Sequence, residues 1–264
     1  HRGGYDPFTV DISPYLKSGQ QEILVSIWDP SDEGPQPRGK QVNKPRSIWY
    51  TPVTGIWQTV WMEGVPKTYI ASTKQTPDID LQQLQVSASV HNLQAGDRIR
   101  ISAWNGNQKI TEQILEGTAG TLSINNPTLW SPSNPFLYDL RVAVVRKGKV
   151  VDEVKSYFAM RKISMAPDNK GVQRMLLNNS FLFQYGPLDQ GWWPDGLYTA
   201  PTDEALRFDI EKTREMGFNM IRKHVKVEPA RWYYHCDKLG MLVWQDMSSG
   251  DMGNRWESRP GILG

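Results

Sequence analysis

The chain has 264 residues, of which 39% are hydrophobic and 22% are charged, and its formal net charge is +2. The composition is that of an ordinary globular protein, and the length predicts about two domains. The small net charge, mixed in sign along the chain, gives no basis for binding nucleic acid or an anionic membrane surface. Because the sequence contains no run of about 18 apolar residues, it predicts no transmembrane helix.

Cys236 is the only cysteine. It cannot form an intrachain disulfide, and its place in a predicted helix indicates a core side chain. The histidines show no His-x-x-x-His spacing and there is no Cys-x-x-Cys pair, so the sequence predicts no zinc site. It also has no Gly-x-Ser-x-Gly elbow, no P-loop and no Gly-x-Gly-x-x-Gly fingerprint, and we predict no cofactor.

Aromatic side chains are abundant, with 11 tryptophans and 10 tyrosines. Flat aromatic faces suit the apolar faces of sugar rings, but large aromatic side chains also fill the cores of β-sandwiches. The aromatic content therefore leaves sugar contact and core packing both open.

Alternating apolar and polar residues predict strands in the first 66 residues. The alternating apolar positions are Phe8, Val10 and Ile12, and then Ile23, Val25 and Ile27. Another strand is predicted over residues 56–65, and residues 29–46, with several Pro and Gly, are predicted to form a long loop. Three or four strands are too few for a sandwich, so we expect the partner strands upstream of His1.

Residues 67–165 continue the alternating pattern over roughly 100 residues, with about seven predicted strands separated by turn signals. The clearest alternating sets are Leu84, Val86, Ala88 and Val90; Ile99, Ile101 and Ala103; and Tyr138, Leu140, Val142 and Val144. This number and spacing of strands predict an immunoglobulin-like β-sandwich without the Cys–Trp–Cys signature.

After about residue 175 the pattern becomes one of alternating strands and helices. Short apolar strands are predicted at 181–183, 218–222 and 241–246. The first intervening helix begins after the N-cap candidate Thr202 and ends near Gly217, and the second begins at Glu228-Pro229 and ends at Gly240. This order predicts a parallel βαβαβ unit, the opening of an α/β (β/α)₈ or TIM barrel.

In such a barrel the functional side chains lie at the carboxyl ends of the strands. The candidates there are Asp189, Trp192, Trp193 and Asp195 after the first strand, Arg222, Lys223 and His224 after the second, and Gln245 and Asp246 after the third. We expect them to converge on one face, which suits hydrogen bonding to sugar hydroxyls and stacking on a sugar ring. The alternatives are a structural ion pair between Arg222 and Asp246, a capped surface histidine at His224, and loop packing at Trp193.

Several segments resemble the family 2 glycoside hydrolases, the group of β-galactosidases, β-glucuronidases and β-mannosidases. They are residues 4–8 (GYDPF), 11–16 (DISPYL), 55–61 (GIWQTVW), 129–138 (LWSPSNPFLY), 158–161 (FAMR), 218–222 (FNMIR) and 237–243 (DKLGMLV). The resemblance implies a multidomain chain. Residues 1–66 would be the C-terminal part of a sugar-binding jelly-roll domain, 67–165 an immunoglobulin-like β-sandwich, and 166–264 the first βα units of an incomplete TIM barrel.

The resemblance also implies a retaining β-glycosidase with two catalytic glutamates, one in an Asn-Glu pair that ends the fourth strand and one that ends the seventh. The chain has no Asn-Glu dipeptide. We therefore expect both glutamates to lie outside it, in the remainder of the same polypeptide, and assign no catalytic residue. The resemblance carries over Arg222 and Asp246 as substrate-binding residues, with His224, Asp189 and Trp193 as further candidates.

The substrate is less clearly indicated. Residues 223–226 (KHVK) depart from the Ser-His-Tyr-Pro run of galactosidase-like members, whereas residues 244–246 (WQD) resemble mannosidase-type members. We favour a β-galactosidase-like exo-glycosidase, with β-mannosidase and β-glucuronidase as alternatives, and expect this chain alone to be inactive. The other alternative is a non-catalytic carbohydrate-binding or scaffold protein. The oligomeric state and the compartment stay open, with periplasmic or secreted bacterial enzymes among the options.

Overall fold

The computed structural model describes residues 1–34 and 36–248. Strands make up most of the regular structure in these residues, and two α-helices lie close to the end. The strands form one four-stranded and three three-stranded sheets. No helix in the described part of the chain is long and apolar enough to cross a membrane.

The first 66 residues contain almost no regular structure where the structure describes them. Their only helical turn is a 3₁₀ helix, Ser13–Tyr15, and their only strand-like contact is an isolated parallel bridge between Gln41 and Tyr50. The strands predicted in residues 5–28 and 56–65 are therefore wrong for the described residues, whereas residues 29–34 and 36–46 are irregular, as predicted. The alternating side chains stay largely exposed, for example Phe8, Val10, Ile23, Val25 and Val60. Alternation supplies an apolar face, but a strand also needs a hydrogen-bonded neighbour, and no other described segment pairs with these residues.

Seven strands follow and form two sheets. They are β1 (Tyr69–Asp78), β2 (Gln83–His91), β3 (Arg98–Asn105), β4 (Gln108–Leu115), β5 (Ala119–Ser123), β6 (Tyr138–Arg146) and β7 (Lys149–Phe158). The strand order is β1-β2-β5 in one sheet and β4-β3-β6-β7 in the other. Every pairing in these two sheets is antiparallel.

One core is enclosed between the two sheets. Most of the apolar positions that alternate in the sequence are its buried members, among them Leu84, Ile101, Leu140 and Val142. The period-two pattern of the sequence therefore places one face of each sheet inside. We call this unit the sandwich.

A small antiparallel sheet follows the sandwich. It consists of β8 (Ile163–Pro167), β9 (Gln173–Leu177) and β10 (Ser180–Phe181), in the order β10-β9-β8. The prediction of a buried first barrel strand at 181–183 is wrong, because Phe181 and Phe183 are 57% and 68% exposed and Phe181 pairs antiparallel with β9.

The first parallel strand begins later than predicted, and an asparagine explains the difference. The side chain of Asn219 accepts a hydrogen bond from the backbone nitrogen of Tyr185 and donates one to the backbone oxygen of Phe183. Beside them there is one backbone hydrogen bond, from the nitrogen of Asn219 to the oxygen of Tyr185 at 3.3 Å. Regular pairing begins only at β11 (Leu188–Asp189).

A parallel sheet with two connecting helices completes the described chain. After β11 come α1 (Asp203–Glu215), β12 (Met220–Lys223), α2 (Ala230–Leu239) and β13 (Leu242–Gln245), and the strand order is β11-β12-β13. The Thr202 hydroxyl accepts the backbone N–H of Ala205, which confirms the predicted N-cap. Gly240 ends α2 in the left-handed conformation that glycine favours. The last part of the predicted barrel segment, 249–264, lies outside the described residues.

The parallel sheet has two distinct faces. Ile221 and Val243 pack against a core formed with α1 and α2. Met220 and Leu242 point the other way and pack beside Trp130 of the sandwich. We call these the helix face and the open face. Because side chains alternate along a strand, Lys223 and Gln245 continue the helix face, whereas Arg222 and Trp244 continue the open face.

Candidate functional site

Three predicted residues meet at the carboxyl ends of β12 and β13, on the open face. Arg222 donates from Nε and Nη2 to the two carboxylate oxygens of Asp246, at 3.1 and 3.0 Å. His224 Nδ1 lies 2.9 Å from Asp246 Oδ2. One carboxylate therefore joins a guanidinium and an imidazole that come from the end of the neighbouring strand. We call this group the open-face cluster.

The charges within the open-face cluster reinforce each other. Hydrogen bonding to Arg222 lowers the pKa of the Asp246 carboxyl, and His224 adds to this effect. The same bond to Asp246 raises the pKa of the Arg222 guanidinium. Asp246 is therefore an ionised carboxylate that only accepts hydrogen bonds, and it neutralises the formal charge of Arg222.

Asp189 belongs to a different cluster on the helix face. Lys223 Nζ donates to Asp189 Oδ2 at 2.6 Å and to Glu228 Oε1 at 2.9 Å. Lys226 Nζ donates to the backbone oxygens of Gly191 and Tyr198, at 2.7 and 2.8 Å, and lies 3.2 Å from the same Glu228 oxygen. The two lysines and two carboxylates, which we call the helix-face cluster, tie the loop after β11 to the end of β12.

This second cluster is deeply buried. The side chains of Lys223, Lys226 and Glu228 are 2%, 1% and 2% exposed. Burial lowers the pKa of the Lys226 ammonium, and the neighbouring Glu228 acts in the opposite direction. Buried charges of opposite sign that are hydrogen-bonded to one another are typical of a structural element. We therefore interpret this cluster as a structural one that fixes the loop after β11.

Trp193 lies apart from both clusters. It packs against the helical core that contains Leu206, Ile210 and Trp232. Its neighbour Trp192 contacts the ring of Tyr50, with centroids 4.7 Å apart, and the ring of Tyr198. The expectation that all candidates converge on one face is therefore wrong. Odd and even positions along a strand point to opposite sides, and the loop indoles pack inward.

The structure adds residues that the sequence analysis did not assign to a site. Trp244 is the parallel neighbour of Arg222 on the open face, its side chain is 39% exposed, and its indole nitrogen donates to Gln184 at 2.8 Å. Trp244 is two positions before Asp246, so the two-residue period of a strand would have placed both side chains on the same face. Lys226 and Glu228 had no comparable signal, because a charged residue in a loop gives no sign that it will be buried.

A cavity of about 1050 Å³ lies beside β11. It is lined by Tyr50, Asp189, Trp192, Phe208 and Asp209, among others, and by none of the open-face cluster. Burial raises the pKa of the Asp209 carboxyl there, and the negative charge of Asp189 adds to the rise. Among residues 1–34 and 36–248 no group of three His, Cys, Asp or Glu side chains is placed to hold a metal ion.

Comparison with known proteins points to one enzyme class. Residues 68–161, which cover the sandwich, match the family described as Glycosyl hydrolases family 2. A putative β-glucuronidase of Formosa agariphila is 26% identical over 98% of this chain and 31% of its own length. A β-galactosidase of Thermoanaerobacter pseudethanolicus is 24% identical over 94% of this chain and 34% of its own length. The chain thus spans about a third of the length of these curated relatives.

Solved structures show the same fold. A β-glycosidase from Bacteroides vulgatus superposes with a TM-score of 0.62 at 23% identity, over 75% of this chain and 26% of that one. A β-glucuronidase from Ruminococcus gnavus in complex with D-glucuronic acid gives 0.61 at 16% identity, over 69% of this chain and 31% of that one. These relatives are glycosidases. The match to glycosyl hydrolases family 2 thus covers the sandwich, and the similarity to these relatives extends over most of the chain.

Proposed function

We propose that the chain is part of a retaining exo-β-glycosidase that hydrolyses terminal β-glycosides, and that the open-face cluster forms one wall of its sugar site. The observation that carries this proposal is the bonding of Arg222, His224 and Asp246 at the carboxyl ends of two adjacent parallel strands. Functional residues collect at that end of a parallel (β/α) sheet. The names of the relatives, β-glucuronidase and β-galactosidase, support the reaction class.

The domain organisation belongs to the same proposal. Residues 1–66 are the C-terminal part of a jelly-roll domain, and 67–165 are an immunoglobulin-like sandwich. Residues 166–264 are the first βα units of a TIM barrel. The exposed apolar side chains of the first segment, such as Leu24, Trp28 and Trp61, support the first of these assignments. In a jelly roll they would be covered by partner strands.

In a retaining glycosidase one carboxyl group is the acid/base and another, about 5–5.5 Å away, is the nucleophile. Asp246 does not fit either role, because it is fully engaged with Arg222 and His224. We place both catalytic carboxylates outside this chain and expect the chain alone to be inactive. Its own residues bind: Arg222 and His224 offer hydrogen bonds to sugar hydroxyls, and the exposed indole of Trp244 offers a stacking face.

The charge of this wall bears on the substrate. The Arg222 guanidinium is paired with Asp246 and the Lys223 ammonium is paired on the other face. The open-face cluster therefore carries no unpaired cation to attract a uronate carboxylate. This favours a neutral glycoside such as a β-galactoside over a β-glucuronide. A β-mannoside is also neutral and remains an alternative substrate.

Arg222→Met in the longest polypeptide that the gene encodes tests the wall directly. We expect kcat/KM for a nitrophenyl β-glycoside to fall about 10²-fold, the scale of losing one positioned donor. Arg207→Met is the matched control, because Arg207 forms an exposed pair with Glu211 on α1. Equal activity of both variants would contradict the proposal. Sugar binding without turnover in the unmodified polypeptide would instead indicate the non-catalytic alternative.

A further inference from the structure

The imidazole of His224 is held at a defined position from two directions. The backbone nitrogen of His224 donates to the backbone oxygen of Asp189 at 2.9 Å. The backbone nitrogen of Asp246 donates to the backbone oxygen of Lys223 at 3.0 Å. These bonds extend the parallel ladder beyond the ends of β12 and β13. The Asp246 carboxylate then contacts Nδ1 at 2.9 Å.

The carboxylate itself cannot rotate freely. Arg222 reaches both of its oxygens with two parallel hydrogen bonds, and such a fork fixes the plane of a carboxylate. Oδ2 is therefore presented to His224 in one orientation. An ionised carboxylate only accepts hydrogen bonds, so the proton between it and the imidazole must sit on Nδ1.

We propose that Asp246 is a positioning residue that holds His224 in the Nδ1-protonated tautomer, so that Nε2 offers a lone pair to a hydroxyl group of the bound glycoside. In a neutral imidazole one nitrogen donates and the other accepts, and the partner of the first fixes the role of the second. Nε2 makes no hydrogen bond to another described residue. The identity of the ligand rests on the proposed function, whereas the tautomer rests on geometry alone.

The opposite tautomer would give a different site. With the proton on Nε2, His224 would donate to the ligand and Nδ1 would face Asp246 as a second acceptor. Two acceptors 2.9 Å apart repel each other, so the carboxylate excludes this arrangement. In its neutral form His224 therefore accepts a hydrogen bond from the ligand, while the neighbouring Arg222 guanidinium, a donor only, supplies the complementary group.

The tautomer can be read by long-range ¹H–¹⁵N correlation spectra of ¹⁵N-histidine-labelled protein at about pH 8, well above the ordinary imidazole pKa. We expect His224 to show a protonated Nδ1 and an unprotonated Nε2. Asp246→Asn should abolish this fixed pattern, because an amide can donate or accept. A protonated Nε2 in the unmodified protein, or an unchanged spectrum of His224 in the variant, would overturn the proposal.

The chain offers a matched control pair. His235 Nε2 lies 3.2 Å from Asp203 Oδ2 on the helical side of the molecule. Asp203→Asn should change the signals of His235 and leave those of His224 and the hydrolysis of glycosides unchanged. A change at His224 in this variant would mean that its tautomer follows the general state of the fold, which would overturn a specific role for Asp246.

The ligand contact is tested by two replacements in the longest encoded polypeptide. The side-chain oxygen of His224→Gln reaches the region of Nε2, whereas that of His224→Asn reaches only the region of Nδ1. We expect His224→Gln to retain at least tenfold more kcat/KM than His224→Asn. The reverse order would overturn the acceptor role of Nε2. Correct His224 spectra in a polypeptide that neither binds nor hydrolyses any glycoside would reject the proposed function and leave the positioning by Asp246 standing.

Discussion

The indole nitrogen of Trp130 donates a hydrogen bond of 2.7 Å to the backbone oxygen of Asp237, and this bond joins the sandwich to α2. Trp130 is completely buried. The Asp237 carboxylate in turn accepts hydrogen bonds from Arg161 at 2.6 Å and Tyr157 at 3.0 Å. Segments that resemble the family separately, 129–138, 158–161 and 237–243, thus meet in space. Together they hold the helix that precedes β13.

Trp130→Phe should weaken this joint. We expect the free energy of unfolding to fall by about 1–3 kcal/mol, because the backbone oxygen of Asp237 loses its partner. Urea unfolding followed by circular dichroism measures the change. Trp104→Phe is the control, since Trp104 also donates to a neighbour, Ser102, but is only partly buried. Equal losses of unfolding free energy in the two variants would show that the Trp130–Asp237 hydrogen bond contributes no more than the partly buried Trp104–Ser102 bond.

The same joint limits substitution at Gly240. Its φ is +78°, and a Cβ there would lie 2.6 Å from the backbone oxygen of Pro132. Gly240→Ala should destabilise the protein by about 2–4 kcal/mol, from left-handed strain and the clash together. Gly217→Ala has similar strain at φ +86°, but the nearest atom to its Cβ would be the Tyr185 hydroxyl oxygen, 3.7 Å away, so about 1–2 kcal/mol is expected. If urea unfolding showed a smaller loss of stability for Gly240→Ala than for Gly217→Ala, the predicted clash with Pro132 would be contradicted.

The helix-face cluster should be intolerant of losing one partner. Lys223→Met leaves Asp189 without its cation and removes one of the two lysines on Glu228. We expect a loss of about 3–5 kcal/mol in the free energy of unfolding, the usual result of breaking a buried pair. Lys212→Met breaks an exposed pair with Glu215 and should change stability by less than about 1 kcal/mol. Similar thermal midpoints for the two variants would contradict this account.

Asp97 gives a prediction about acid. Hydrogen bonds from Arg146 lower the pKa of the Asp97 carboxyl from 3.8 to about 2. Since an unfolded aspartate titrates near ~3.9, the stabilisation is complete above that pH and is lost as the pH falls from about 4 to about 2. Arg146→Met should therefore show a shallower fall of stability over this range than the unmodified protein.

Urea unfolding at a series of pH values measures the two slopes. Arg98→Met is the control, because Arg98 contacts only the backbone oxygen of Asp97, at 3.2 Å, and should keep the slope of the unmodified protein. If Arg146→Met kept the same slope as well, the carboxylate–guanidinium pair would not be the source of the acid sensitivity.

The sequence predicted the elements whose signals are local. Alternation located the sandwich strands around Leu84, Ile101 and Val142, and Thr202 and Gly240 marked helix ends correctly. Each of these features depends on the periodicity or cap of one segment. They need no knowledge of which other segment lies beside them.

The misplaced elements depend on neighbours that the sequence does not reveal. The early position given to the first parallel strand missed Asn219, whose side chain bonds to the backbone of Tyr185 and Phe183 before regular pairing begins. The candidate residues do lie at strand ends, but the expectation that Asp189 and Arg222 share a face was wrong. Those two lie on opposite sides because register, which is a property of two strands, decides the face.

The most direct test of the account is hydrolysis of chromogenic β-galactoside, β-glucuronide, β-mannoside and β-glucoside substrates by this 264-residue chain and by the longest polypeptide that its gene encodes. The account predicts that the longer polypeptide cleaves one of the neutral glycosides and that the 264-residue chain cleaves none. Turnover by the shorter chain would contradict the claim that both catalytic carboxylates lie outside it.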